Sequence, residues 1–123
     1  MNVSRRLVAS AAVGLTLLAA LYALHWYQTR IARPALIQRE VLGREIASYE
    51  DLLSYEGGGA YGQGLWRWTY HITDNKTWSQ LCNVAAKRDN SCEFERSRKI
   101  PGQDIRDDIS YSDGTLVVEE TWF

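Results

Sequence analysis

A chain of 123 residues with a formal net charge of −1 has room for one small domain and excludes a large multidomain enzyme. Arg5 and Arg6 precede all other charged residues, so the remainder of the chain is net negative. This charge argues against nucleic acid as a partner, because a binder of phosphate backbones needs a basic stripe.

The first predicted element is a membrane-spanning helix over residues 7–27. No Asp, Glu, Lys or Arg occurs between Leu7 and Thr29, and the segment is apolar all round instead of along one stripe. At about 1.5 Å per residue, its length matches a hydrocarbon core of about 30 Å. Trp26 and Tyr27 at its end are typical of a membrane interface.

A cleaved secretory signal is the competing interpretation, because Arg5 and Arg6 before an apolar stretch also describe the start of a signal peptide. Signal peptidase requires small residues at two positions before the cut. Leucine stands two places before each of the candidate alanines, Ala19, Ala20 and Ala23. We therefore predict an uncleaved anchor.

The orientation of this anchor is nearly balanced by the positive-inside rule. Two arginines precede the helix, and four follow it: Arg30, Arg33, Arg39 and Arg44. The short tail stays inside most easily, and the two cysteines in the distal domain favour an oxidising compartment. We expect an inner-membrane protein with a cytoplasmic N-terminus and an extracytoplasmic (periplasmic) C-terminal domain.

A short membrane-proximal helix is predicted over residues 34–46. Pro34 suits a first helical turn, and Leu36, Ile37 and Val41 follow at helical intervals. We expect this helix to space the domain from the bilayer. From Ser48 to Glu56 the apolar residues approach alternation, which predicts a half-buried strand.

A flexible loop is predicted over residues 57–64, because five of these eight positions are glycine. Gly57, Gly59 and Gly62 satisfy G-x-G-x-x-G, but a nucleotide-binding loop of that kind needs a helix directly after it, and a strand follows here. That strand, residues 65–72, places one set of side chains toward the core: Trp66, Trp68, Tyr70 and Ile72.

A second helix is predicted to begin at Thr77, where Thr77-Trp78-Ser79-Gln80 fits a capping box. Its apolar residues form one stripe that is suited to pack on the tryptophan face of the sheet: Trp78, Leu81, Cys82 and Ala85.

Cys82 in this helix and Cys92 in the next strand are predicted to form a disulfide. Zinc is disfavoured, since two thiolates need two further ligands and His71 is the only histidine in the domain. Free buried cysteines are the alternative if the domain is cytoplasmic.

Three further strand segments follow. Residues 92–100 end at Pro101-Gly102, and residues 109–112 lead through Asp113-Gly114, a hairpin turn, into residues 115–122. The predicted fold is α+β: one N-terminal transmembrane helix and a small antiparallel sheet of about five strands packed by one helix. The predicted organisation is a cytoplasmic tail, a transmembrane anchor, a membrane-proximal linker and a soluble domain: residues 1–6, 7–27, 28–47 and 48–123.

Four groups of polar residues resemble functional sites and fail on spacing. His71 and Asp74 lack a serine in a nucleophile-elbow pattern. Glu119 and Glu120 are neighbours on a strand, so their side chains point to opposite faces. Two further groups add no site. We interpret the first as turn residues: Asp104, Asp107, Asp108 and Asp113. We interpret the second as a solvated strand face: Arg96, Arg98 and Lys99.

The pattern therefore predicts no catalytic, cofactor-binding or metal site, no small-molecule ligand and no enzyme. We expect a membrane-anchored, non-enzymatic protein-binding module of the inhibitor, immunity-type or accessory class. Its predicted partner-binding residues are Tyr61, Arg67, Thr69 and His71. The alternative is an accessory or structural subunit that contacts a larger membrane complex through its transmembrane helix.

Overall fold

The computed structural model describes residues 2–60, 62–72, 76, 82 and 91–123. They form one continuous helical path and one five-stranded antiparallel sheet, which confirms the predicted α+β class. The elements are α1 Asn2–Tyr27, a π-helical segment Gln28–Ala32, α2 Arg33–Leu42, β1 Leu52–Ala60, β2 Gln63–His71, β3 Ser91–Ile100, β4 Gln103–Ser112 and β5 Thr115–Trp122.

The N-terminal part of the helical path is uncovered. Leu15 and Leu21 in α1 are 67% and 62% exposed. The path Val3–Leu42 is long and apolar enough to cross a membrane, by length and composition, and its most apolar window is 0% buried. These features fit the predicted single span.

Pro34 sets the position of the π-helical segment. The N–H of Arg33 bonds to the carbonyl of Gln28, five residues back, and proline has no N–H to donate. The Thr29 carbonyl is thereby left without a helical donor. It accepts a hydrogen bond from the indole Nε1 of buried Trp68 at 2.7 Å, which joins the helix to β2.

α2 is shorter than predicted and is part of the domain core. Gly43, at a φ of 82°, ends it by donating its N–H to the carbonyl of Arg39 at 3.0 Å. Ile37 is 2% exposed and lies in the main apolar cluster. Gln38, fully buried, bonds both the N–H and the carbonyl of Ala47. The predicted spacer therefore packs on the sheet.

The strand order is β1-β2-β5-β4-β3, with every pair antiparallel. The predicted turn at Asp113-Gly114 is confirmed, and both residues have positive φ, 47° and 79°, as a two-residue hairpin turn of this kind requires. β4 starts at Gln103, directly after Pro101-Gly102, so it is longer than predicted.

The glycine-rich stretch is strand and not a flexible loop, which corrects the prediction. Gly57 to Ala60 belong to β1, and they pair with residues Gln63 to Trp66 of β2. A Cβ on Gly57 would come within 2.5 Å of Cδ1 of Trp66, and one on Gly64 within 2.5 Å of Cη2 of the same ring. These glycines are needed because the Trp66 indole occupies the space over them.

The sheet has an inner face, on which α2 packs, and an outer face. Near the β4–β5 turn the inner face is apolar, and we call this part the apolar half. Its buried residues include Trp68, Tyr70, Cys92, Ile109, Tyr111, Leu116 and Val118. Trp66, which is half-buried, lies beyond this apolar half on the same face.

The predicted disulfide is confirmed: Cys82 and Cys92 are bridged, with their Cα atoms 5.4 Å apart. Both cysteines belong to the apolar cluster of the inner face. Apart from Cys82, the helix predicted from Thr77, with Trp78 and Leu81, lies outside the described residues, and so does Tyr61.

Candidate functional site

The predicted partner-binding residues of β2 lie on the outer face. Arg67 and Thr69 are half-buried and His71 is exposed, and all three alternate with the core residues Trp68 and Tyr70. The structure thus brings these three side chains to one face.

Arg67 is the centre of a charged row that crosses the outer face. In register, this outer row consists of Glu56, Arg67, Glu119, Asp108 and Glu95. Arg67 Nε donates to Glu119 Oε1 at 2.6 Å, and its Nη1 lies 3.8 Å from Glu56 Oε2. Arg106, in the neighbouring row, lies 3.1 Å from both Asp108 and Glu95.

The outer face as a whole carries more carboxylates than cations. The carboxylates are Glu56, Glu93, Glu95, Asp104, Asp108 and Glu119, and the cations are Arg67, Lys99 and Arg106. Leu65, on this face, is 42% exposed, and Phe123 at the end of β5 is 59% exposed. The outer face therefore offers an acidic surface with exposed apolar side chains.

A second set of charges lies on the inner face, and sequence reasoning placed its members elsewhere. Asp107 and Glu120 are directly opposite each other on β4 and β5 and are 0% and 1% exposed. Arg96 and Arg98 follow Cys92 and half-buried Phe94 at every second position, so they belong to the inner face of β3 and are not part of a solvated face. Asp107 is likewise a buried strand residue and not a turn residue.

Glu120 is the centre of this set. Its Oε1 accepts hydrogen bonds from Arg33 Nε at 3.0 Å, Arg33 Nη2 at 2.5 Å and Trp122 Nε1 at 2.7 Å. Its Oε2 accepts from Arg98 Nη2 at 3.1 Å. We call Arg33, Arg98, Asp107, Glu120 and Trp122 the Glu120 cluster. It links α2 to three strands.

Asp107 differs from Glu120 in having no donor partner among the described residues, although Arg98 Nε lies 3.6 Å from its Oδ2. Burial, together with the adjacent Glu120 carboxylate, raises the pKa of Asp107 to about 7. Burial alone would raise the pKa of Glu120 too, but hydrogen bonds from Asp107, Trp122 and Arg33 lower it. Once protonated, Asp107 can donate the missing hydrogen bond to the Glu120 carboxylate.

Aromatic rings enclose the Arg33 guanidinium. It stacks 4.5 Å from the Trp66 ring centre and 5.5 Å from that of Trp122. The two rings meet edge to face at 5.9 Å. Because Gly57 and Gly64 leave room for Trp66, the glycines, the ring and the arginine form one packed unit.

The Glu120 cluster is suited to hold the helix against the sheet. The pKa values of its two carboxyl groups differ, as an acid and base pair requires. Within the described part of the chain, however, both carboxyl groups are buried and neither is exposed to a substrate. Strict alternation along Leu116, Val118, Glu120 and Trp122 was the signal in the sequence that places Glu120 inward.

The remaining candidate constellations add no site. Asp74, the predicted neighbour of His71, lies outside the described residues. In the part of the chain that the structure describes, no group of three or more His, Cys, Asp or Glu side chains is placed to hold a metal ion. Glu119 and Glu120 point to opposite faces, as predicted.

Comparison with protein-family models, with curated proteins and with solved structures found no match to this chain.

Proposed function

We propose that this protein is a membrane-anchored, non-enzymatic binding module whose acidic outer face holds a protein partner with a basic surface. The observation that carries the proposal is the outer row, in which Glu56 and Glu119 flank Arg67. Arginine and exposed aromatic side chains are enriched at protein interfaces, and opposite charge speeds and orients association. We place Arg67, Thr69 and His71 in this interface, whereas Tyr61 stays a predicted partner-binding residue outside the described part of the chain.

The rigid connection between helix and sheet supports this function. Thr29 and Arg33, only a few residues after the predicted span, already contact β2 and β5. A partner bound to the outer face is therefore held at a fixed distance from the bilayer.

The chemistry of the inner face supports a non-enzymatic module. Asp107 and Glu120, whose pKa values are displaced, are buried below Arg33 and Trp122. Such burial suits a structural role better than general acid and base catalysis, which needs a reachable proton.

An extracytoplasmic domain is supported by the disulfide between Cys82 and Cys92, because disulfides persist in oxidising compartments. We place the N-terminus in the cytoplasm and the sheet on the periplasmic side of the inner membrane.

A second candidate function rests on α1. Tyr22 is 72% exposed and Leu18 is 65% exposed, so this part of the helix is available to another membrane helix. In this alternative the chain is a subunit that α1 attaches to a larger complex.

Cross-linking in membranes followed by purification in mild detergent separates the two functions. One variant, Glu56→Lys with Glu119→Lys, reverses charge on the outer face. A second replaces residues 7–24 with an unrelated apolar helix of equal length; it keeps Arg5 and Arg6, which precede the span, and Trp26, whose ring contacts Tyr49.

Binding through the outer face predicts that the double Lys variant loses the partner by at least about tenfold while the helix replacement keeps it. A partner that is lost with the helix replacement and kept by the double Lys variant refutes the outer-face proposal and establishes the subunit alternative. Protease applied to spheroplasts tests the orientation, since a periplasmic domain is cleaved from outside.

A further inference from the structure

The helical path crosses the sheet from one edge strand toward the other. Arg30 lies over the Tyr55 ring of β1 at 4.7 Å, and Arg33 bonds Glu120 of β5. Farther along, Glu40 pairs with Arg96 of β3. Thr29, which bonds Trp68 of β2, directly precedes Arg30. From Arg30 onward the order of these contacts is the order of the strands in the sheet, so the strands run across the helix.

This order makes β1 the strand nearest to the predicted membrane span. From Arg30 to Glu40 the helix rises about 15 Å, and four strand spacings make about 19 Å, so the two lengths agree. Arg30 follows Tyr27 by about 4.5 Å of helix, whereas the polar layer on each side of a bilayer is about 5–8 Å thick. Among the described strands β1 is at the edge of the sheet, and its unpaired side is thus at the depth of the lipid headgroups.

Apolar side chains are exposed at this edge. Tyr49, just before β1, is 44% exposed and meets Trp26 edge to face at 5.1 Å, which continues the interfacial aromatic residues of the helix. Leu53 is 65% exposed because the register of β1 shifts between Leu52 and Ser54 and leaves Leu53 unpaired. The shift directs a leucine away from the protein.

The charges of the same edge do not favour attraction to anionic lipid. Glu50 and Glu56 are exposed here, while the Arg30 guanidinium stacks on Tyr55. Contact with the bilayer therefore has to come from the closeness of β1 to the membrane span and from the apolar side chains of Tyr49 and Leu53. We expect this contact to be equally strong on zwitterionic and anionic lipids.

We propose that β1 lies on the lipid headgroup layer, with Leu53 and Tyr49 in the membrane interface, so that the bilayer covers the open edge of the sheet. The occupant is the lipid of the membrane that α1 enters, and the inference rests on that anchor. An edge strand at this depth is also shielded from pairing with strands of other chains.

Fluorescence in vesicles tests this contact in the full chain. A single environment-sensitive fluorescent amino acid replaces Leu53 in one protein and Leu65 in another. Leu65 is the matched control, because it is an exposed leucine, 42%, on the outer face of β2. Nitroxide groups on the lipid headgroup region act as quenchers, and flotation with vesicles after a carbonate wash reports the anchor separately.

The expected result is quenching at position 53 at least about threefold stronger than at position 65, unchanged by salt or by anionic lipid. Flotation with equal quenching at the two positions overturns the contact and leaves the anchor intact. Failure to float overturns both. Shielding at position 53 that grows with protein density and shows no lipid quenching overturns the proposal in favour of a second copy.

Discussion

Glu119 and Glu120 are adjacent in the chain and are both paired with arginine, yet they lie in opposite environments. Glu119 bonds Arg67 on the outer face, where 42% of the arginine side chain is exposed. Glu120 is almost fully buried and bonds Arg33 and Arg98 on the inner face. The difference shows that the location of an ion pair, more than its geometry, sets what its removal costs.

Solvent exposure explains why the two ion pairs differ in what their removal costs. Water screens the exposed pair, and its arginine can be solvated when the partner is removed, so such pairs contribute about 0–1 kcal/mol. A buried carboxylate that loses its partner keeps the cost of its own desolvation. The inner face is therefore where single substitutions are expected to matter.

The largest expected difference in the free energy of unfolding is between the variants Arg33→Ala and Arg67→Ala. Removal of Arg33 leaves Glu120 buried with Arg98 as its remaining cation, which lowers the free energy of unfolding by about 3 kcal/mol. Removal of Arg67 lowers it by less than about 1 kcal/mol. Urea unfolding in mild detergent, followed by tryptophan fluorescence, measures both. Equal losses would contradict the contrast between the two faces.

Removal of the disulfide tests how much this covalent bond stabilises the apolar half of the inner face. Cys82→Ser with Cys92→Ser opens a loop with a sequence separation of 10, so we expect a loss of about 2–4 kcal/mol. Thermal melting should move down by at least about 8 °C. Reduction of the wild-type protein should reproduce this shift and leave the double variant unaffected. An unchanged midpoint under both treatments would refute the prediction.

Two neighbouring glycines of β1 sharpen the comparison further, because they point to opposite faces. Gly57→Ala places a methyl group against Trp66 on the inner face and should cost about 1–3 kcal/mol. Gly58→Ala meets no atom within 4 Å on the outer face and should be neutral or stabilising by about 0.4–1 kcal/mol. Thermal melts of the two variants decide, and a larger loss for Gly58→Ala would exclude the packed arrangement of Trp66.

The last expected effect is a change in pH dependence, which Asp107→Asn removes. Because the folded protein raises the pKa of Asp107 from 3.8 to about 7, its stabilising contribution is complete below about pH 4 and is lost as the pH rises through 7. Asparagine does not titrate, so the variant should gain about 2–3 kcal/mol relative to wild type between pH 5 and pH 8.

Unfolding in urea at several pH values measures this difference. Asp108→Asn on the outer face is the control and should show a flat difference. A flat difference for Asp107→Asn would show that Asp107 is ionised in the folded protein throughout that range.

The helix and the strands of the fold were predictable because each follows a local pattern. The apolar run of α1, the alternation around Trp68 and the Asp113-Gly114 turn each specify one element without reference to the rest of the chain. The bridge between Cys82 and Cys92 followed from their number and spacing.

The Glu120 cluster was not predictable in the same way. Asp107 and Arg98 resemble surface residues, and they lie on the inner face beside Glu120, which Arg33 of α2 also bonds. Gly57 and Gly64 resemble loop residues until Trp66 is placed over them. Both features depend on contacts between distant segments, which a local pattern does not contain.

The contact between Arg33 and Glu120 joins residues 87 positions apart. A ribosome that produces this chain releases Arg33 well before Glu120, so the core stays open until β5 has been synthesised. Closure over such a separation carries an entropy cost that a nascent chain cannot recover early. A chain that terminates before Glu120 leaves Arg33 without its partner at the membrane, and the cell's proteases then encounter an open sheet.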